Sequence, residues 1–254
     1  MRGEARWERW LPPAISLIAG AALWEIVGRN TSAAFLAPFS TTIERLVALI
    51  VSGQFLEALG QSLGLFATGF GIAVLVGVPL GLVLARVPLL RVATESYIMM
   101  LYATPMAALA PFILSLMGFG FEAKAVVVFL FAVFPVLYNT VEGARSVRPE
   151  LVEVARSFRS GEWQLWRDVM IPYTLPYTMT GIRQAIARGL VGMVAAEFFL
   201  SPSGLGELIV TGSQSFDTAR MLGAILTIVL VGVALMDVGR YLERRLAAWK
   251  EYGT

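Results

Sequence analysis

Long apolar blocks recur along this chain, separated by short polar intervals. Six of them approach the roughly 20 residues that an α-helix needs to cross a bilayer. They run at about 11–28, 61–85, 94–116, 123–140, 177–199 and 221–240. The pattern predicts an all-α, polytopic membrane protein with six transmembrane helices, a single transmembrane domain over 1–254.

The intervals carry their own signals. Residues 1–10 hold Arg2, Arg6 and Arg9 with Trp7 and Trp10, a cationic and aromatic interfacial segment. A basic start before an apolar run is also the pattern of a cleavable signal peptide, with Ser32-Ala33-Ala34 as a cleavage-like triplet. The length of the run and the spans that follow favour a retained span. Thr41-x-x-Glu44 reads as a capping box before Ile43, Leu46, Val47 and Ile50, with Gly53 as a stop. That predicts an amphipathic helix on the outer surface. Gly60 with Gly64, and Gly77 with Gly81, make G-x-x-x-G pairs that let helices approach closely. Pro79 predicts a kink in the second span, and Pro105 and Pro111 interrupt the third. The fifth is unusually polar, with Arg183, Gln184, Arg188 and Glu197. A glycine-rich loop is expected after it, from Ser201 through Gly204 and Gly206 to Asp217.

The longest polar interval lies at 149–176. Pro149 suits a first helical position, and Glu150 and Glu153 would then complement the positive helix end. Gly161 reads as the stop of that helix. A second short helix is expected over Glu162–Met170, with Trp163 among its apolar residues. Two short helices joined at a bend, on a membrane surface, look built to dock into a partner's groove.

Charge placement orients the spans. Twenty lysines and arginines occur in the chain. Six spans put fourteen of them, including Arg86, Arg145, Arg156, Arg159 and Arg244, on the side of both termini. The other side receives four: Arg29, Arg45, Lys124 and Arg220. The asymmetry places the termini and the 149–176 stretch in the cytoplasm. Composition agrees with a membrane chain: 57% of residues are hydrophobic and 15% charged, where a soluble domain has about 25% charged. There is no cysteine and no histidine, which excludes disulfides, thiol chemistry and zinc sites of the Cys/His type.

Glu153-Val154-Ala155, Gly161, Ile171-Pro172 and Leu175-Pro176 resemble the cytoplasmic signature of ATP-binding-cassette importer permeases. In that family the signature runs E-A-A, three residues, G, about nine residues, then an apolar residue, x, L-P. Val154 replaces the first alanine here, and Arg159 stands at the usual place of the glycine. The likeness extends along the chain to the nitrate/sulfonate/taurine branch, through Pro105, Pro111, Gly118, Phe134-Pro135, Asn139-Thr140, Gly143, Gly181-x-Arg183, Ala196-Glu197, Gly204-Leu205-Gly206, Asp237, Arg240, Glu243 and Trp249. The resemblance implies a type I importer permease with cytoplasmic coupling helices. It also implies a homodimeric pore, two ABC ATPase subunits, an extracytoplasmic solute-binding protein and the inner membrane of a prokaryote. The docking residues it implies are Glu150, Glu153, Val154, Ala155, Ser157, Phe158, Arg159, Gly161 and Trp163.

The chain itself holds no phosphate-binding loop, since G-x-x-x-x-G-K-[ST] does not occur. ATP and magnesium then belong to the partner ATPase, and this chain is not an enzyme and carries no cofactor or metal. No nucleic-acid partner is indicated. Charged residues inside spans are functional candidates. Arg188 could line the path and attract an anion, pair with Glu197 or Asp237, or snorkel towards the interface. Met106 and Glu197 are further path candidates, although Glu197 near the outer end of its span fits a structural role better. Arg183 fits a structural role, and Asp237 and Arg240, one turn apart, should pair. The expected solute is a small anion or a sulfonate-like compound. A pyrimidine or vitamin precursor is the alternative within the same family. A stand-alone secondary transporter would show an internal repeat or mid-membrane acids. A membrane enzyme would show clustered acids, bases or metal ligands.

Overall fold

A computed structural model describes residues 6–199 and 202–247. Arg2, Ser201, Trp249 and Lys250 lie outside the described residues. Every regular element among the described residues is helical. In chain order they are α1 (Arg6–Asn30), α2 (Phe39–Val51), α3 (Gln54–Arg86), α4 (Pro88–Ala103), α5 (Ala110–Met117) and α6 (Phe121–Arg145). There follow α7 (Pro149–Ser157), α8 (Glu162–Leu165), α9 (Ile171–Phe199), α10 (Gly204–Gln214) and α11 (Thr218–Leu246).

Four helical stretches are each long and apolar enough to cross a membrane: 11–30 in α1, and the whole of α3, α6 and α11. Two helix pairs raise the number to six by length and composition, if each is one span. One pair, Leu89–Ala103 with Met106–Met117, is bent by 88°. The cause is local. Thr104 precedes Pro105, so the ring of the proline pushes it out of helical geometry, to ψ 135°. A 3₁₀ turn at Met106–Leu109 then restarts the helix. The other pair is 162–199 with 204–214. The chain divides into two compact units, 1–61 with 203–227, and 62–202 with 228–254.

In the first unit, α1 caps α2. The Glu25 carboxylate accepts the Ser40 backbone N–H and the Ser40 hydroxyl, both at 2.9 Å. Trp24 donates its indole N–H to the Ala37 carbonyl at 3.0 Å. The Thr41–Glu44 capping box does not form. The helix starts at Phe39 with Pro38 as its N-cap, so Thr41 already lies inside it. Glu25 supplies from another helix what the local motif was expected to supply. Gly53 ends α2 at φ +80°, as its place after Ile50 suggested. Asp217 caps α11 by accepting the Arg220 backbone N–H at 3.0 Å, and its other oxygen accepts Arg45 at 2.7 Å. The expected glycine-rich loop is instead α10. Leu205 and Leu208 are buried at helical spacing and outweigh two glycines, and Gln61 accepts the Gly204 N–H at 3.1 Å.

In the second unit, α6 is the central element. The helix α3 lies against it through a stripe four residues apart: Gly69, Ala73, Gly77 and Gly81. A Cβ on Gly69 would stand 2.5 Å from Val128 Cβ, and one on Gly81 2.8 Å from Thr140 Cβ. Ala73 is fully buried. Gly60 and Gly64, expected as a second close-packing pair, meet nothing within 4 Å among the described residues. They follow a different register from the stripe, and only one face of α3 packs on α6. On its other side α6 meets α9. A Cβ on Gly181 would stand 2.8 Å from Asn139 Cβ and from the Pro135 carbonyl, and one on Gly192 2.8 Å from the Phe131 ring. The buried hydroxyls of Thr140 and Thr178 bond to each other at 3.1 Å across the same contact.

Candidate functional site

Within 149–176 one short helix, α7, meets the start of a long one at a bend; the second short helix expected over Glu162–Met170 does not end there but runs on into α9. Arg148 is extended before Pro149, which takes the first helical position of α7 with Glu150 in its first turn. The helix does not stop at Gly161. Arg159 takes the left-handed conformation at φ 55°, with its N–H bonded to the Arg156 carbonyl at 2.9 Å. The Ser160 N–H reaches the Ala155 carbonyl at 3.1 Å. These two bonds are those of a Schellman stop, with arginine where glycine is usual. Gly161, extended at φ −68° and ψ 163°, is the N-cap of α8. Its N–H donates to Gln164 Oε1 at 3.0 Å.

The bend presents an apolar face to solvent. Phe158 is 81% exposed, Trp163 73% and Val154 54%. Glu150 and Glu153 are exposed beside them, and Ala155 is half-buried. Ser157 turns its hydroxyl back onto the Glu153 carbonyl at 2.9 Å, which leaves it to the helix. Leu165 and Trp166 are buried and fix the second helix onto the unit. From α8 the helix continues through a π-turn at Trp166–Met170 into α9 without a break. The membrane end of α3 touches the same element. Arg86 lies 3.6 Å from Glu162 and 5.5 Å over the Trp166 ring. The bend is thereby continuous with α9 and in contact with the end of α3.

Two clefts open beside α9. One, of about 300 Å³, is lined by residues including Tyr102, Thr104, Met106, Phe131 and Arg188. The other, of about 600 Å³, is lined by residues including Thr180, Arg183, Gln184, Ala187 and Arg240. Tyr102 and Arg188 line both. The guanidinium of Arg188 sits 4.4 Å over the Tyr102 ring. Among the described residues no carboxylate pairs with it and no hydrogen bond engages it. The structure therefore separates Arg188 from both acids weighed as its partners. Glu197 is fully buried and accepts the Ser62 hydroxyl at 2.6 Å. Asp237 pairs with Arg240, as the spacing suggested. Arg183 pairs with the buried Glu243 at 3.0 Å.

Of the three path candidates, Arg188 and Met106 line a cleft, and Glu197 does not. Glu197 is buried against Ser62 instead of opening to either cleft. Tyr102 was not singled out in the sequence, and Glu243 entered only through the branch likeness, with no partner named for it. An aromatic three residues before Pro105 carries no signature, and Glu243 stands among surface-like charges near the end of α11.

Helical throughout its described residues, the chain combines helices long and apolar enough to cross a membrane with an exposed apolar bend and a cleft lined by arginines. It belongs to the family described as the binding-protein-dependent transport system inner membrane component, which it matches over residues 77–248. It is similar to the aliphatic sulfonates transport permease protein SsuC of Bacillus subtilis, 32% identical over 235 residues, covering 90% of this chain and 84% of that one. It is also similar to the riboflavin transport system permease protein RibX of Chloroflexus aurantiacus, 36% identical over 148 residues, covering 58% of this chain and 55% of that one. Its fold is that of the MetNI methionine ABC transporter in an inward-facing form, at a TM-score of 0.64 and 17% identity, covering 76% of this chain and 95% of that one. The chain is thus a type I importer permease, non-catalytic in itself, of a family that works with an ATPase and a binding protein.

Proposed function

We propose that two copies of this chain form the path of an ATP-driven importer for a small organic anion, such as a sulfonate. Two ABC ATPase subunits bind ATP and magnesium and dock at the α7–α8 bend. Phe158, Trp163 and Val154 supply the apolar contact, and Glu150 and Glu153 the charge. An extracytoplasmic binding protein delivers the solute. The six spans form one permease domain, with both termini in the cytoplasm of a prokaryotic cell. The observation that carries the anion reading is Arg188. It is a guanidinium open to two clefts, with no carboxylate to cancel its charge among the described residues. The SsuC likeness supports the same solute class. The RibX likeness favours a second reading, a larger vitamin-like or pyrimidine solute.

The test is uptake by the complex of chain, ATPase and binding protein in proteoliposomes. Arg188→Met should abolish uptake of ethanesulfonate while the ATPase still co-purifies. Glu153→Arg should instead release the ATPase. Riboflavin uptake without ethanesulfonate uptake would select the second reading. Normal ethanesulfonate uptake by both variants would overturn the first reading and the docking assignment.

A further inference from the structure

Three arginines line the larger cleft, and the structure treats them differently. Arg183 is held by Glu243 and Arg240 by Asp237. Among the described residues Arg188 is held by an aromatic face alone, the ring of Tyr102 at 4.4 Å. The difference is chemical. A carboxylate partner orients a guanidinium but cancels its charge and occupies its N–H fork. A ring stacked on the flat face orients it and leaves both charge and fork free. The ring is itself braced, since Tyr102 stacks on Tyr138 of α6 at 5.8 Å and 21°. It also sits two residues before the extended Thr104, where α4 ends. Tyr138, Tyr102 and Arg188 thus link α6, α4 and α9 by contacts that spend none of the guanidinium's hydrogen bonds.

We propose that Tyr102 is the positioning residue of an oxyanion site in the path. It holds the Arg188 fork edge-on to the clefts for bidentate capture of a sulfonate or carboxylate head group. This rests on the anion reading of the importer, and names the group that makes Arg188 selective. The hydroxyl of Tyr102 is not needed, since the ring face carries the contact.

The native chain has no cysteine, so one introduced at Ala187, which lines the larger cleft, is a unique probe. The complex is labelled in membranes with 2-sulfonatoethyl methanethiosulfonate, itself an alkyl sulfonate, and with its trimethylammonium counterpart. The ratio of the two rates reads the local charge, and slowing by methanesulfonate reads binding. Arg188→Met should lower the ratio at least about tenfold and remove the protection. Tyr102→Leu should keep most of the ratio and lose the protection several-fold, while Tyr102→Phe keeps both. Protection of Tyr102→Leu equal to that of the parent would overturn the role of Tyr102 and leave the anion reading standing. Loss of protection in Tyr102→Phe, which keeps ring and volume, would also overturn it. A ratio unchanged by Arg188→Met would overturn the anion reading itself.

Discussion

Ser160 donates its backbone N–H to the carbonyl of Ala155 at 3.1 Å, and this bond closes α7 around a left-handed Arg159. The position where the family's signature carries glycine keeps the conformation that glycine would take, although its residue has a Cβ. The break is neither shifted nor softened. The left-handed arginine costs on the order of 1 kcal/mol.

Arg159→Gly should therefore stabilise the bend by about 0.5–1 kcal/mol, read as a raised unfolding temperature of the detergent-solubilised chain. Gly161→Ala should change stability by less than about 0.5 kcal/mol. Its backbone is ordinary extended geometry, and its Cβ would meet only Gln164 Oε1 at 3.9 Å. A large loss from Gly161→Ala with none from Arg159→Pro would return the stop to Gly161.

The α3 stripe separates two glycines of the same helix. Gly81→Ala should destabilise by about 1–3 kcal/mol, because its Cβ would overlap Thr140. Gly64→Ala should be neutral or slightly stabilising, since nothing among the described residues lies within 4 Å and alanine is the better helix former. Thermal unfolding of the two variants side by side checks the register. Equal losses would deny it.

The Arg183–Glu243 pair has one buried partner. Glu243 is 2% exposed, so Arg183→Met leaves a buried carboxylate without its cation and should cost about 3 kcal/mol or more. Arg183→Met with Glu243→Met should recover most of that loss. The yield of monodisperse protein and its unfolding temperature measure both. A double variant no better than the single would mean that the pair is not what holds α9 to the end of α11.

Orientation is tested by single cysteines in the cysteine-free chain. Gly53, Ser213 and Ser157 are all exposed. Cysteines at 53 and 213 should react with an impermeant thiol reagent added to intact cells. One at 157 should react only after permeabilisation. The reverse pattern would invert the topology.

The helical membrane class and the bend between α7 and α8 are determined by the sequence alone. They rest on run length, on proline and glycine, and on charge placement, all of which act within a few neighbouring residues. Tertiary structure decided whatever depends on which faces meet. It set the register of the α3 stripe, Gly69, Ala73, Gly77 and Gly81, because several small-residue spacings coexist on one helix and only one fits α6. It turned the expected 201–217 loop into α10, because burial of Leu205 and Leu208 outweighs local glycine preference. It gave the cap of α2 to Glu25, fifteen residues away from Ser40, rather than to Thr41. It also sorted the charges of α9. Arg183 and Glu197 went to partners 60 and 135 residues distant in the chain, and Arg188 to the face of Tyr102. Sequence spacing carries no record of such partners, since they are brought together only when three helices pack.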